Sequence, residues 1–190
     1  AGYQGKTILE HLETVPIQEN IKAQEFYFPV QYVIRPNLDF RGFSGTIASG
    51  EIGVGEEIIV LPSGKSSRVK SIVTYDGTLT SASQDQAVTI TLEDEIDISR
   101  GDVLVKPENP FHLSHRFTGH LVWMNEAGLK PGKAYWVKQA SSLYQGSVSK
   151  IDYRVNMDDL SEENTETLGL NDIGQVIMTV NRPMVMDRYQ

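Results

Sequence analysis

Cysteine is missing from all 190 residues. That excludes disulfides, thiolate zinc sites and a cysteine nucleophile from this chain. Long apolar runs are missing too. No stretch approaches the roughly 18–20 residues of a membrane-crossing helix, and Ala1-Gly2-Tyr3-Gln4 lacks the basic-then-apolar layout of a secretory signal. No membrane partner is therefore expected. Basic charge is scarce: 17 lysines and arginines against 25 acidic residues leave a formal charge of −8. Non-specific nucleic-acid binding rests on cations that displace phosphate counterions, so this field argues against a polyanionic partner.

What remains suits a globular protein. Hydrophobic residues make up 39% and charged residues 22%, and the length allows one large domain or two small ones. Helical periodicity is confined to the beginning. Ile8, Leu9, Leu12 and Val15 share one face, Thr7 and Glu10 have capping-box spacing, and Pro16 stops the run, so the pattern predicts a helix over 7–15. Beyond about residue 26 the pattern is that of strands. They are read at 30–34, 45–50, 57–61, 68–75, 87–92 and 102–105, with turns at Pro62-Ser63-Gly64-Lys65 and Asp76-Gly77. Lys106-Pro107-Glu108-Asn109-Pro110 reads as a linker. A second block follows at 117–124, 134–138, 146–155 and 174–181, and its polar, acidic stretch 156–168 reads as a solvated loop. Short strands every 8–12 residues with almost no helix suggest a barrel or a sandwich. The fold class expected is all-β: two tandem small antiparallel β-barrels preceded by one short α-helix.

The motifs that could carry chemistry mostly read as structure. Gly64-Lys65-Ser66 has Ile59 where a P-loop needs its first glycine, and strands flank it, so it is expected to be a hairpin turn. Gly5-Lys6-Thr7 leads into the helix, but its first glycine would precede Ala1. His112, His115 and His120 have no cysteine or suitably spaced carboxylate beside them, strand alternation should point the first two apart, and His11 falls on the polar side of the helix. The acidic run Glu93-Asp94-Glu95-Ile96-Asp97 could support general acid–base work, but reads more simply as a solvent-facing loop. Trp123 and Trp136 sit in apolar strands, which suggests a barrel core or a domain interface. No catalytic, cofactor-binding or metal-binding residue is assigned.

Glycines recur at 45, 50 and 55, where short barrel strands need turn and bulge conformations. This ladder, together with Ile98-Ser99-Arg100-Gly101-Asp102-Val103-Leu104, resembles the second domain of translational GTPases of the elongation factor Tu class. Leu170-Asn171-Asp172-Ile173-Gly174 and Asn181-Arg182-Pro183-Met184 are similar to the third. Residues 28–42, 61–72, 91–102 and 121–124 narrow the resemblance to the large, GTPase subunit of ATP sulfurylase (sulfate adenylyltransferase). On this resemblance residues 1–25 are the end of a GTPase domain and its connector, 26–106 the second domain, and 111–190 the third domain lacking its last strand.

The family's P-loop, its Asp-x-x-Gly switch and its Asn-Lys-x-Asp are read as absent, which makes the chain a fragment inactive alone. GTP and Mg²⁺ would belong to the missing GTPase domain, with no cofactor held here. The resemblance implies cytoplasmic barrels that couple GTP hydrolysis to adenosine 5′-phosphosulfate synthesis from ATP and sulfate. Their partners would be the small sulfurylase subunit and the chain's own GTPase domain. The alternative is the tRNA-contacting barrels of a translation elongation factor. A third option, an independent enzyme, would rest on Glu93 to Asp97.

Overall fold

A computed structural model describes residues 5–14, 25–37 and 40–187. Helix α1 (Ile8–Thr14) is followed by fifteen strands. These are β1 (Tyr27–Pro29), β2 (Tyr32–Ile34), β3 (Gly42–Thr46), β4 (Glu51–Gly53), β5 (Glu57–Leu61), β6 (Lys65–Thr74), β7 (Gly77–Leu79), β8 (Ser81–Ser83), β9 (Ala87–Leu92), β10 (Val103–Val105), β11 (His112–Val122), β12 (Ala134–Gln139), β13 (Ser142–Val155), β14 (Glu162–Glu163) and β15 (Ile173–Met186).

The capping box forms as its spacing predicts. The Glu10 carboxylate accepts from the Thr7 N–H at 2.8 Å, and the Thr7 hydroxyl accepts from the Glu10 N–H at 3.2 Å. The backbone bond from Thr7 holds the Glu10 carboxyl below its ordinary range. Ile8, Leu9 and Leu12 are exposed, and Val15 lies outside the described residues.

The first barrel closes through one segment. Its sheet runs β1-β10-β5-β6-β9-β3-β2, with β7 beside β6, and residues 27–34 serve both ends. β1 pairs with β10, while Tyr27 bridges Ser49 and β2 pairs with β3. Closure leaves neither end of the sheet unpaired. Alternation then sorts the side chains. Phe28, Leu104 and Val60, in register across β1, β10 and β5, point inward to join Phe43, Ile58, Ile72 and Ile90 in a buried core. Gly45 passes so close to the Pro29 carbonyl and the Phe28 ring that a Cβ there would overlap both.

The second barrel is a curled sheet ordered β11-β15-β13-β12, with β14 against β13. Register shifts at His115 and at two points along β13 bend the long strands. Two clusters fill its inside: one of Leu129, Val148, Ile151, Leu168 and Val176, the other of Tyr144, Val180 and Met184. The stretch 156–168 is more tightly held than a solvated loop. Leu168 is fully buried, its carbonyl accepts from the Leu129 N–H, and Glu163 takes bonds from Arg154 and Asn156. Among the described residues no helix is long and apolar enough to cross a membrane.

Candidate functional site: the contact between the two barrels

Two runs in the first barrel are apolar at every position, Val103-Leu104-Val105 and Ile58-Ile59-Val60-Leu61. A strand buried on one face alternates; one buried on both does not. The register gives the reason. Tyr27, Val105 and Ile59 form one row, Pro29, Val103 and Leu61 the next, and both rows point out of the first barrel. Phe111 and Val185 of the second barrel meet them, making an apolar cluster with Val103, Val105 and Val185 buried. Tyr27 and Phe111 stack at a tilt, ring centres 5.0 Å apart. Desolvation pushes the Tyr27 hydroxyl up to about 12, with Tyr144 adding a smaller contribution.

Polar bonds fix the docking angle beside this cluster. The tight turn between β12 and β13 places Ala140 at φ 47° and brings Ser141 and Ser142 to the first barrel. The Ser141 hydroxyl donates to the Val30 carbonyl at 2.7 Å, and the Ser142 hydroxyl to the Gly101 carbonyl at 3.0 Å. The Gly101 N–H donates to that same Val30 carbonyl at 2.9 Å. Gly101 has φ 97° and faces the Ser142 hydroxyl so closely that a Cβ would collide with it.

Next to it, burial raises the Asp102 carboxyl and Asp97 adds to the effect. The Ser99 N–H, bonded to Asp102, and the positive charge of Arg182 oppose it. Arg182 lies over the Tyr144 ring at 4.5 Å and donates to the Leu143 carbonyl at 3.1 Å. Each fully buried large apolar side chain contributes about 1.5–3 kcal/mol, against about 0.5–1.5 for a hydrogen bond. The apolar cluster therefore supplies the adhesion, and the serines set the register.

The residues weighed for chemistry are scattered. Gly64, at φ 72°, turns the β5–β6 hairpin, and no helix follows to receive a phosphate. Asp39-Phe40-Arg41-Gly42 does carry the letters of an Asp-x-x-Gly switch, a correction to the reading that none occurs. Asp39 lies outside the described residues, and Gly42 opens a barrel strand packed against Phe40 and Thr89.

His112 opens β11, and His115 sits at the bulge with Nδ1 3.2 Å from the Val180 carbonyl. His120 reaches the Tyr153 hydroxyl at 3.1 Å, and His11 is exposed on α1. Among the described residues no group of three or more histidines and carboxylates is placed to hold a metal ion. In the acidic run Asp94 bonds the Ser67 hydroxyl and Asp97 pairs with Arg41, while Ile98 anchors the loop in the core. Trp123 packs edge-on against Tyr135 in the second core. Trp136 does not enter the core; it is 67% exposed on the outer face of β12.

Comparison with known proteins places the chain. Sulfate adenylyltransferase subunit 1 of Saccharophagus degradans is 53% identical over 188 residues, 99% of this chain and 40% of that protein. The same subunit of Aliivibrio fischeri is 52% identical over 99% of the chain, and that of Cellvibrio japonicus 50% identical over all of it. This chain belongs to the sulfate adenylyltransferase subunit 1 family, as a C-terminal part.

It spans about two-fifths of the length of those relatives. Residues 116–190 also match the GTP-eEF1A C-terminal domain-like family. The solved structure of sup35 complexed with GDP superposes with a TM-score of 0.79 at 18% identity, over 98% of this chain and 46% of that one. Translation elongation factor SelB from Methanococcus maripaludis gives 0.71 at 18% identity, over 95% of this chain and 40% of that one. The fold is thus that of the paired barrels of elongation-factor-like proteins. The contact site, by contrast, had no motif to announce it. Its only trace in the sequence is the pair of non-alternating runs.

Proposed function

We propose that this chain is the non-catalytic barrel pair of a GTP-dependent sulfate adenylyltransferase. It couples GTP hydrolysis to the synthesis of adenosine 5′-phosphosulfate from ATP and sulfate in the cytoplasm. On this reading residues 1–25 end a GTPase domain, 26–106 and 111–190 are the two barrels, and GTP with Mg²⁺ is held outside them. The observation that carries the proposal is the identity of about half the residues across the whole chain to sulfate adenylyltransferase subunit 1. The name subunit 1 implies a second subunit, which would perform the adenylyl transfer. The cemented contact between the barrels supports the relay role, since a rearrangement is passed on only by a body that does not yield.

The test uses the full-length subunit reconstituted with its companion, following GTP hydrolysis and phosphosulfate formation together. Gly101→Ala, and separately the milder Ser141→Ala with Ser142→Ala, should preserve GTP hydrolysis and lower the phosphosulfate formed per GTP. Unchanged coupling in both would refute the relay. GTP hydrolysis by residues 1–190 alone would refute the passive role. Submicromolar, salt-dependent binding of aminoacyl-tRNA would favour a translation-factor function instead.

A further inference from the structure

The turn between β6 and β7 combines a reactive sequence, an open setting and an untied carboxylate. Tyr75 and Asp76 form the loop, and the paired residues Thr74 and Gly77 close it. Asp76 is the one aspartate or asparagine of the chain that a glycine follows. Tyr75, Asp76 and Gly77 are all exposed, and a Cβ built on Gly77 would meet no atom within 4 Å.

Aspartates elsewhere are held in place. Asp94 accepts from the Ser67 hydroxyl at 2.8 Å, Asp102 from the Ser99 N–H at 2.8 Å, and Asp97 pairs with Arg41 at 3.2 Å. Asp152 pairs with Lys150, Asp159 accepts from the Ser161 hydroxyl, and Asp172 from the Gly169 N–H. Each such bond keeps a carboxyl carbon from turning back on its own main chain. Among the described residues no hydrogen bond or ion pair restrains the Asp76 carboxylate in this way.

The group within its reach is the Gly77 nitrogen, which closes a five-membered ring with the Asp76 carboxyl carbon. Glycine matters at that second position because it has no side chain to crowd the ring as it forms. Asp85 and Asp158 are followed instead by Gln86 and Asp159, which do. Thr74 and Gly77 are the last rung of their ladder, where fraying frees the nitrogen most readily.

We infer that Asp76 is a modification site, at which the chain converts aspartate to isoaspartate without an enzyme. The Gly77 nitrogen attacks the Asp76 carboxyl carbon. A C–N bond forms, a C–O bond breaks, and the oxygen leaves as water with the amide proton and one proton from solvent. Water then opens the cyclic imide at either carbonyl. Opening at the former carboxyl restores aspartate. Opening at the main-chain carbonyl leaves the backbone running through the side-chain carbon, with a free α-carboxylate beside it. One water is released and one consumed, and no other reactant is needed.

The product has a main chain one methylene longer within the turn. Across that turn Val73 faces Thr78 and Ile72 faces Leu79, and Leu79 packs on the core that holds Ile72. The modification therefore slackens the hold of β7 on the first barrel. The exposed α-carboxylate is also the group that an isoaspartate-specific methyltransferase would esterify.

The experiment keeps the full-length chain in heavy-oxygen water at neutral pH and body temperature. The peptides holding Asp76, Asp85 and Asp158 are then sequenced by electron-transfer fragmentation, which separates isoaspartate from aspartate. Heavy oxygen should enter residue 76, as aspartate and isoaspartate together, at least tenfold faster than Asp85 or Asp158. Gly77→Ala should slow its entry at least tenfold. Because Gly77 has φ 135° and alanine there also strains the turn, Asp76→Glu is the second variant. Its longer side chain no longer closes a five-membered ring and should take up no label. Absence of heavy oxygen at residue 76, or uptake at Asp85 and Asp158 as fast as at Asp76, would overturn the site. So would undiminished uptake in Gly77→Ala, or labelling of Asp76→Glu.

Discussion

At Gly101 a hydrogen atom stands where any other residue would carry a Cβ, and the space beyond it is filled by the Ser142 hydroxyl. Gly101→Ala meets two penalties. Its φ of 97° costs a non-glycine residue roughly 1–3 kcal/mol, and the new methyl displaces the serine that bonds the Gly101 carbonyl. We expect a stability loss of about 2–4 kcal/mol in urea melts. Adding Ser142→Ala should recover the steric share and leave the backbone share.

Tyr27 makes a prediction about pH. Its pKa is raised in the folded chain to about 12, against 10.0 when unfolded, so between those values the unfolded state has released a proton that the folded state retains. The stabilisation from keeping Tyr27 neutral is complete below pH 10 and is lost as pH rises towards 12. Tyr27→Phe keeps the ring against Phe111. Its unfolding free energy should fall less steeply than that of the wild type across that window, when the two are compared by denaturant melts at stepped pH.

Among the elements, the stretch between β13 and β15 has Arg154 as its charged tie. Arg154 bonds Glu163 at 2.6 Å and lies 3.5 Å from Asp172, and its hydrogen bond, with that from Asn156, holds the Glu163 carboxyl below the ordinary carboxylate range. Arg154→Ala should raise amide exchange severalfold across residues 156–166, with little change in global melting temperature, since the buried Leu168 still anchors the far end.

The same stretch shows where sequence reading succeeds and where it stops. Thr7 with Glu10, and the turns at Gly64 and Gly77, were legible because both partners, or the whole turn, lie within a few residues. Arg154 with Asp172 was not, because eighteen residues and a chain reversal separate them. Which side of the sheet Trp136 takes was open for a related reason. Alternation shows that β12 has two faces, but the neighbours brought by β13 and β15 decide which one is inside. The barrel contact was half legible, in the unbroken apolar runs at 58–61 and 103–105.

On the scale of the whole molecule, the apolar cluster shared by Tyr27, Ile59, Leu61, Val103, Val105, Phe111 and Val185 ties the two cores together. Residues 25–187 should therefore unfold in a single calorimetric transition, with calorimetric and van't Hoff enthalpies equal. Val185→Asp would bury a charge among these side chains and should split the trace into two transitions, one for each barrel. Two transitions in the wild type would mean that the contact is weaker than its burial implies.

The segment that closes the first barrel is also the one that abuts the second. Tyr27 bonds across to Ser49 on one side, pairs with Val105 on the other, and rests its ring on Phe111. A pull arriving along the backbone from upstream would meet no slack there. It would be shared at once between both walls of one barrel and the flank of its neighbour.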